Sequence, residues 1–171
     1  VADVTGDGAL RGYVRVDRDR LAQVGDGAGA PVPRLLGAGN LSFTIDQGAG
    51  PDRYQGIVAL EGARLAECAQ SYFRQSEQLE TAIIVAENCT GGRGGPRRAA
   101  ALMVQRLPPE KNDSGGLDVE DGEENWRRVV TLASSVTAAE LLDDRIAPTD
   151  LLYRLFHEDG VRVHRPRPLR H

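Results

Sequence analysis

Leu10, Gly12, Val14 and Val16 alternate with Arg11, Tyr13, Arg15 and Asp17. A period of two with polar partners predicts a half-buried strand over 10–17, on a sheet with one wet face. Gly6-Asp7-Gly8 before it is a turn signal. The Gly-, Ala- and Pro-rich stretch 24–33 predicts an exposed loop. Two further strands are predicted, over 41–45, where the alternation is clean, and over 54–60, which is more continuously apolar. Turn formers fill 46–52 between them, so the pair reads as an antiparallel hairpin with a longish loop.

The clearest periodicity is helical. Leu65, Cys68, Ala69, Tyr72, Phe73 and Ser76 fall on one stripe, which predicts a helix over 63–78. Burial of Leu65, Tyr72 and Phe73 against a sheet is expected to contribute roughly 1.5–3 kcal/mol each. Residues 81–86 and 99–107 read as a second strand pair around the loop Gly91 to Gly95. The polar stretch 108–123 is expected to be loose. Three helical pieces follow, over 124–135, from the capping-box pattern Thr137-Ala138-Ala139-Glu140, and from Pro148 onward. Gly160 is expected to end the last one, and Val161-Arg162-Val163 reads as a short strand.

Strands, one helix, strands and then helices make an α+β fold: a largely antiparallel sheet packed with one amphipathic helix and followed by a C-terminal helical region. The chain divides into a sheet-plus-helix portion (1–107), a flexible loop (108–123), and a helical tail with the start of a linker (124–171). No internal repeat is present. The chain starts at Val1 directly in predicted structure and ends in a basic stretch, and both ends read as cuts through a longer polypeptide.

At 171 residues, with 40% hydrophobic and 27% charged residues, the chain suits one globular domain with a real core. A net charge of −4 argues against a nucleic-acid or anionic-membrane binder. No apolar run approaches the ~20 residues that span a bilayer, and the start does not read as a secretory signal. Two cysteines, Cys68 and Cys89, make no disulfide framework, which points to a reducing cytoplasm.

Candidate chemistry is sparse. Cys68 sits mid-stripe and reads as an inert buried thiol, whereas Cys89, at a strand end, leaves a redox role open. His157, His164 and His171 are spaced by seven, which is poor metal-ligand spacing, and His157 fits a helix C-terminus. The glycine loop lacks the P-loop pattern and precedes a strand, so it offers no anion seat. The acidic run Asp118, Glu120, Asp121, Glu123 and Glu124 leads into a helix N-terminus, where carboxylates are favoured anyway. No nucleophile–base set stands out, and the chain reads as a non-enzyme. The rival reading is a nucleic-acid-associated module using the tail arginines Arg162, Arg165, Arg167 and Arg170.

Three stretches change the picture. The first is Arg53 to Glu61 (RYQGIVALE), followed by Leu65-Ala66-Glu67-Cys68 and Tyr72 to Leu79 (YFRQSEQL). The others are Leu151 to Gly160 (LLYRLFHEDG) and Gly8 to Gly12 (GALRG). In this order they resemble the heat shock protein 33 family, the bacterial redox-regulated holdase chaperones. Glu80 stands where the family usually has proline, and Ala99 to Ala101 replace a common glycine pair.

The resemblance implies an ATP-independent holdase that binds unfolded proteins and prevents their aggregation under oxidative or heat stress. It also implies a zinc-binding, disulfide-forming switch whose four cysteines have no counterpart here, so no metal residue and no cofactor are assigned to this chain. Under this reading a holdase needs exposed apolar surface. The candidates are a hairpin face bearing Leu41, Phe43, Ile45, Ile57 and Val58, and the apolar sides of the last helices at Trp126, Leu151 and Leu155. An uncovered sheet edge would favour a homodimer.

Overall fold

The computed structural model describes residues 1–24, 30–46, 48, 53–88, 97–108 and 119–170, with 119–121 described by backbone alone. Among them, six strands pair into three antiparallel hairpins: β1 (Ala2–Val4) with β2 (Leu10–Gly12), β3 (Asn40–Asp46) with β4 (Arg53–Ala59), and β5 (Thr81–Asn88) with β6 (Arg98–Gln105). The helices are α1 (Arg18–Val24), α2 (Val32–Leu36), α3 (Leu65–Tyr72), α4 (Val119–Ser134), α5 (Ala138–Leu142) and α6 (Pro148–Phe156). The α+β class and its antiparallel pairing match the expectation. The strands are shared out among three two-stranded ribbons.

Several boundaries differ from the sequence reading. The first strand stops at Gly12, and its pairing ends one residue on, where Tyr13 N–H donates to the Val1 carbonyl at 2.7 Å and the Val1 amino group to the Tyr13 carbonyl at 2.8 Å. Asp17 belongs to a helix instead: its carboxylate accepts from the backbone N–H of Arg20 at 3.1 Å, and its carbonyl accepts from Leu21 at 3.0 Å. A short polar side chain at that place satisfies a free N–H of the first turn. Helix α2 begins inside the stretch expected to be loop, since Pro33 falls in its first turn, where a missing N–H costs nothing. Helix α4 starts at Val119, within the stretch expected to be loose. Residues 161–163 form no strand, and the tail instead returns to the N-terminal hairpin. There Leu10 N–H donates to the Arg170 carbonyl at 2.6 Å and Arg170 N–H to Gly8 at 2.8 Å.

The core lies where β5 and β6 meet the last helices. Leu102, Ala133, Val136, Leu151 and Leu155 are buried together, with Ile84, Val104, Leu141, Ile146, Leu152 and Phe156 packed around them. In the β5–β6 register Ile84 faces Leu102 and Ala82 faces Val104, so the even-numbered positions make the buried face. Helix α5 opens on the expected capping box. The backbone N–H of Glu140 donates to the Thr137 hydroxyl at 3.3 Å, and that of Thr137 donates to the Glu140 carboxylate at 2.9 Å.

Helix α3 lies between the two longer hairpins. Glu67 Oε2 accepts from the backbone N–H of Ala63 at 2.8 Å, which fixes its start. Gln70 Oε1 accepts from the backbone N–H of Ile83 at 2.9 Å, which ties the helix to β5. Cys68 and Tyr72 are the largest side chains among the fully buried, at 0% and 1% exposure. Leu65, expected to be buried, is 59% exposed, because the stripe's first turn projects beyond the hairpin it packs on. At Phe73–Glu77 the helix widens into a π-turn, closed by Gln78 in the left-handed region (φ 57°) with its N–H on the Phe73 carbonyl.

Candidate functional site

The site is built on the β3–β4 hairpin. Side chains alternate across a strand, so Leu41, Phe43 and Ile45 share one face, and their cross-strand partners are Val58, Gly56 and Tyr54. Ser42, Thr44, Gln55 and Ile57 take the opposite face, where Gln55 Nε2 donates to Thr44 Oγ1 at 2.9 Å. Ile57 therefore does not belong with Leu41, Phe43, Ile45 and Val58. Adjacent residues of one strand cannot share a face, and Ile57 stands 60% exposed among polar neighbours.

The apolar face runs out from under helix α3. Val58 is buried at the covered end, and Leu41 opposite it is half-buried. In the middle, Gly56 lets the ring of Tyr72 come close: a Cβ on Gly56 would stand 2.8 Å from Tyr72 Cε2. Phe43 stacks obliquely on Tyr72 with centroids 4.3 Å apart, and Phe73 lies 5.8 Å from Phe43 and edge-on to Tyr72 at 5.6 Å. At the open end, Phe43 is 37% exposed, Tyr54 44% and Ile45 57%.

A carboxylate pins this end to the π-turn. Tyr54 and Tyr72 each donate a phenolic hydroxyl to Glu77 Oε1, at 2.8 and 2.7 Å. Burial pushes the Tyr72 phenol above its ordinary pKa, and the bond to Glu77 adds to the shift. Burial likewise raises the Cys68 thiol, whose sulfur lies 3.9 Å from the Gly62 carbonyl. A thiol so placed is a poor nucleophile.

The other candidates are placed differently. Leu151 and Leu155 are buried in the main core, so they hold the last helices to β5 and β6 and present no surface. Trp126 is half-buried beside a groove of about 230 Å³, lined with Val130, Ala82, Gln70, Arg74 and Glu80. Tyr54 and Glu77, which complete the hairpin site, were not picked out from the sequence as site residues. The parity of Tyr54 with Gly56 and Val58 is the signal that could have found the first.

Cys89, the Gly91 to Gly95 loop, Asp118 and His171 lie outside the described residues, as do the side chains of Glu120 and Asp121. His157 ends α6 with its ring 5.5 Å from Tyr153. Among the described residues no three His, Cys, Asp or Glu side chains converge so as to hold a metal ion, so they supply no seat for zinc. No helix among them is long and apolar enough to cross a membrane. Of the tail arginines, Arg170 reaches Asp7 at 3.0 Å, while Arg162, Arg165 and Arg167 are exposed.

Comparison with known proteins agrees with this architecture. The 33 kDa chaperonin of Caulobacter vibrioides is 38% identical over 172 residues, covering 99% of this chain and 55% of that protein. The 33 kDa chaperonin of Pseudomonas paraeruginosa is 39% identical over 169 residues, covering 99% and 50%. The chain thus spans about half the length of the curated relatives it matches. The crystal structure of the 33 kDa chaperonin (heat shock protein 33 homolog) from Thermotoga maritima superposes with a TM-score of 0.61 at 20% identity, over 91% of this chain and 49% of that one. That likeness shows a shared fold. The family described as Hsp33 protein matches residues 1–171, and the chain belongs to that family.

Proposed function

We propose that this chain supplies client-holding surface to an ATP-independent chaperone. It binds unfolded polypeptide and catalyses no reaction. The observation that carries the reading is the apolar face of β3–β4, which continues past its helical cover and exposes Phe43, Tyr54 and Ile45 side by side. The names of the relatives support the same class of activity. Twenty large apolar side chains are exposed among the described residues, against ten buried hydrophobic ones, so uncovered apolar surface is general in this chain.

The holding surface is the hairpin tip (Phe43, Ile45 and Tyr54), with Leu41 and Val58 as its covered root. Trp126 offers a second apolar edge. The work is placed in the cytoplasm, where the buried Cys68 thiol stays reduced and silent. Regulation by zinc and disulfides, where the whole protein has it, runs through residues other than Cys68.

The test is light scattering from a chemically unfolded client diluted into buffer with and without the protein, in reductant and again after peroxide. Equal suppression in both conditions is the expected result. No suppression by a folded sample overturns the reading. Binding of nucleic acid with a steep salt dependence would favour the arginine-tail alternative, for which no observation speaks here.

A further inference from the structure

A carboxylate borders the open end of the hairpin's apolar face. Glu77 sits at the end of the π-turn with Oε1 already accepting from Tyr54 and Tyr72. Among the described residues no cation pairs with it. Arg74, three residues earlier and less than one π-turn away, lines the groove beside Glu80 and Trp126. Among the described residues at the end of the hairpin, Arg53 is held by Asp46, with its Nε donating to Asp46 Oδ2 at 3.0 Å. Glu77 therefore presents a carboxylate that no cation among the described residues compensates, beside the rings of Tyr54 and Tyr72.

Two features make this corner selective. Two phenol donors hold the carboxylate oxygen, so its position is fixed before anything binds, and little ordering cost remains. The neighbouring aromatic faces attract cations through their quadrupoles, adding to the carboxylate's pull. An apolar strip next to this corner complements one class of chain segment.

We infer that the β3–β4 tip selects unfolded segments in which an aromatic or aliphatic run is flanked by lysine or arginine, with Glu77 accepting the cation. This rests on the holding-surface reading above and names the substrate class of that same surface. Exposed apolar residues alone would hold acidic and basic segments equally well. The fixed carboxylate is what discriminates.

The experiment uses two fluorescein-labelled peptides sharing one Leu-Phe-Leu-Val centre, one flanked by lysines and the other by glutamates at the same places. Anisotropy titrations with the whole chain are run on the natural protein and on Glu77→Gln, whose amide oxygen still accepts from the phenols. The expected result is a preference of up to about fivefold for the lysine peptide, the size of one partly exposed ion pair, falling to near parity in Glu77→Gln. A preference that survives the substitution overturns the inference, because it then comes from the net charge of −4.

A second measurement needs no variant. Carbodiimide coupling joins a bound lysine to the carboxylate it touches, and mass spectrometry of the digest should find the peptide on Glu77. Coupling only to other carboxylates overturns the inference. The same samples are assayed for suppression of client aggregation. Suppression without charge preference removes this inference alone, whereas loss of both binding and suppression removes the holdase reading with it.

Discussion

Tyr54 of β4 and Tyr72 of α3 donate to the same oxygen, Glu77 Oε1, at 2.8 and 2.7 Å. Tyr72 is buried and Tyr54 is 44% exposed, so the two bonds differ in worth although their lengths agree. A hydrogen bond to an ionised group contributes about 1.5–3 kcal/mol when water cannot replace it. Tyr72→Phe should lose an amount in that range, and Tyr54→Phe well under it. Urea unfolding of the two single variants and the double variant checks this, and equal losses would contradict the difference in burial.

The same phenol sets a limit at alkaline pH. Burial first, and then the bond to Glu77, raise the Tyr72 pKa above its ordinary 10. A group whose folded pKa is raised contributes stability that is fully present below the unfolded value and is lost as pH rises through the folded one. Stability should therefore fall above pH 10. Tyr72→Phe, less stable at neutral pH, should show a shallower fall over the same range. Thermal melts at stepped pH compare the two slopes.

Gly56 faces this cluster from β4. A methyl group there would meet the hydroxyl and ring of Tyr72 and the Ser76 hydroxyl. The ring is buried, tilted against Phe43 and edge-on to Phe73, so it cannot swing aside without disturbing both. Gly56→Ala should destabilise by about 1–3 kcal/mol through overpacking. Combining it with Tyr72→Phe should relieve part of the loss, since the Tyr72 hydroxyl comes closer to the added methyl than the ring carbon does, while the ring carbon and the Ser76 hydroxyl remain. A stabilised Gly56→Ala would mean that the hairpin can lift from the helix at little cost.

Much of this arrangement was legible from spacing. Alternation found β3, a β-rich apolar run found β4, two apolar runs around a glycine loop found β5 and β6, the apolar stripe found α3, and Thr137 and Pro148 marked the starts of α5 and α6. These signals are local and hold whatever lies nearby. The exposure of Leu65 was not legible, because periodicity says which residues share a face and not how far the partner surface extends. The separation of Ile57 from Val58 was legible from parity alone, but the continuous apolar run 57–60 obscured it. The grouping of Tyr54, Tyr72 and Glu77 depends on how α3 sits over β4, a tertiary fact with no local signature. Leu151 and Leu155 carried the same stripe a surface helix would have, and only the packing on Leu102 places them inside.

The capping box of α5 should be sensitive to acid. The backbone N–H of Thr137, then its hydroxyl, hold the Glu140 carboxyl below its ordinary value of 4.5. A depressed carboxylate contributes stability that is present above the unfolded value and lost as pH falls through the folded one. Glu140→Gln should thus be less stable than the natural chain at pH 7, and the gap should begin to close as pH drops through the ordinary 4.5 and close fully below the depressed folded value. Thr137→Ala removes the cap itself and should cost about 1 kcal/mol at neutral pH. Urea midpoints measured at several pH values separate the two. A gap for Glu140→Gln that stays constant with pH would mean the carboxylate's charge plays no part.

Stability and holding should separate at three leucine and isoleucine positions. Leu155 is buried against Leu151, Leu102 and their neighbours, so Leu155→Ala leaves a cavity and should cost about 2–5 kcal/mol. Ile45 and Ile57 are similarly exposed, at 57% and 60%, and Ser at either should change stability by only about 0.5 kcal/mol. They lie on opposite faces of one hairpin: Ile45 continues the strip of Phe43 and Tyr54, and Ile57 stands opposite Ser42. If holding depends on the strip, Ile45→Ser should weaken suppression of client aggregation while Ile57→Ser leaves it intact, at matched folded concentration. Equal loss at both would show that exposed apolar area alone does the holding, and that neither face of the hairpin is special.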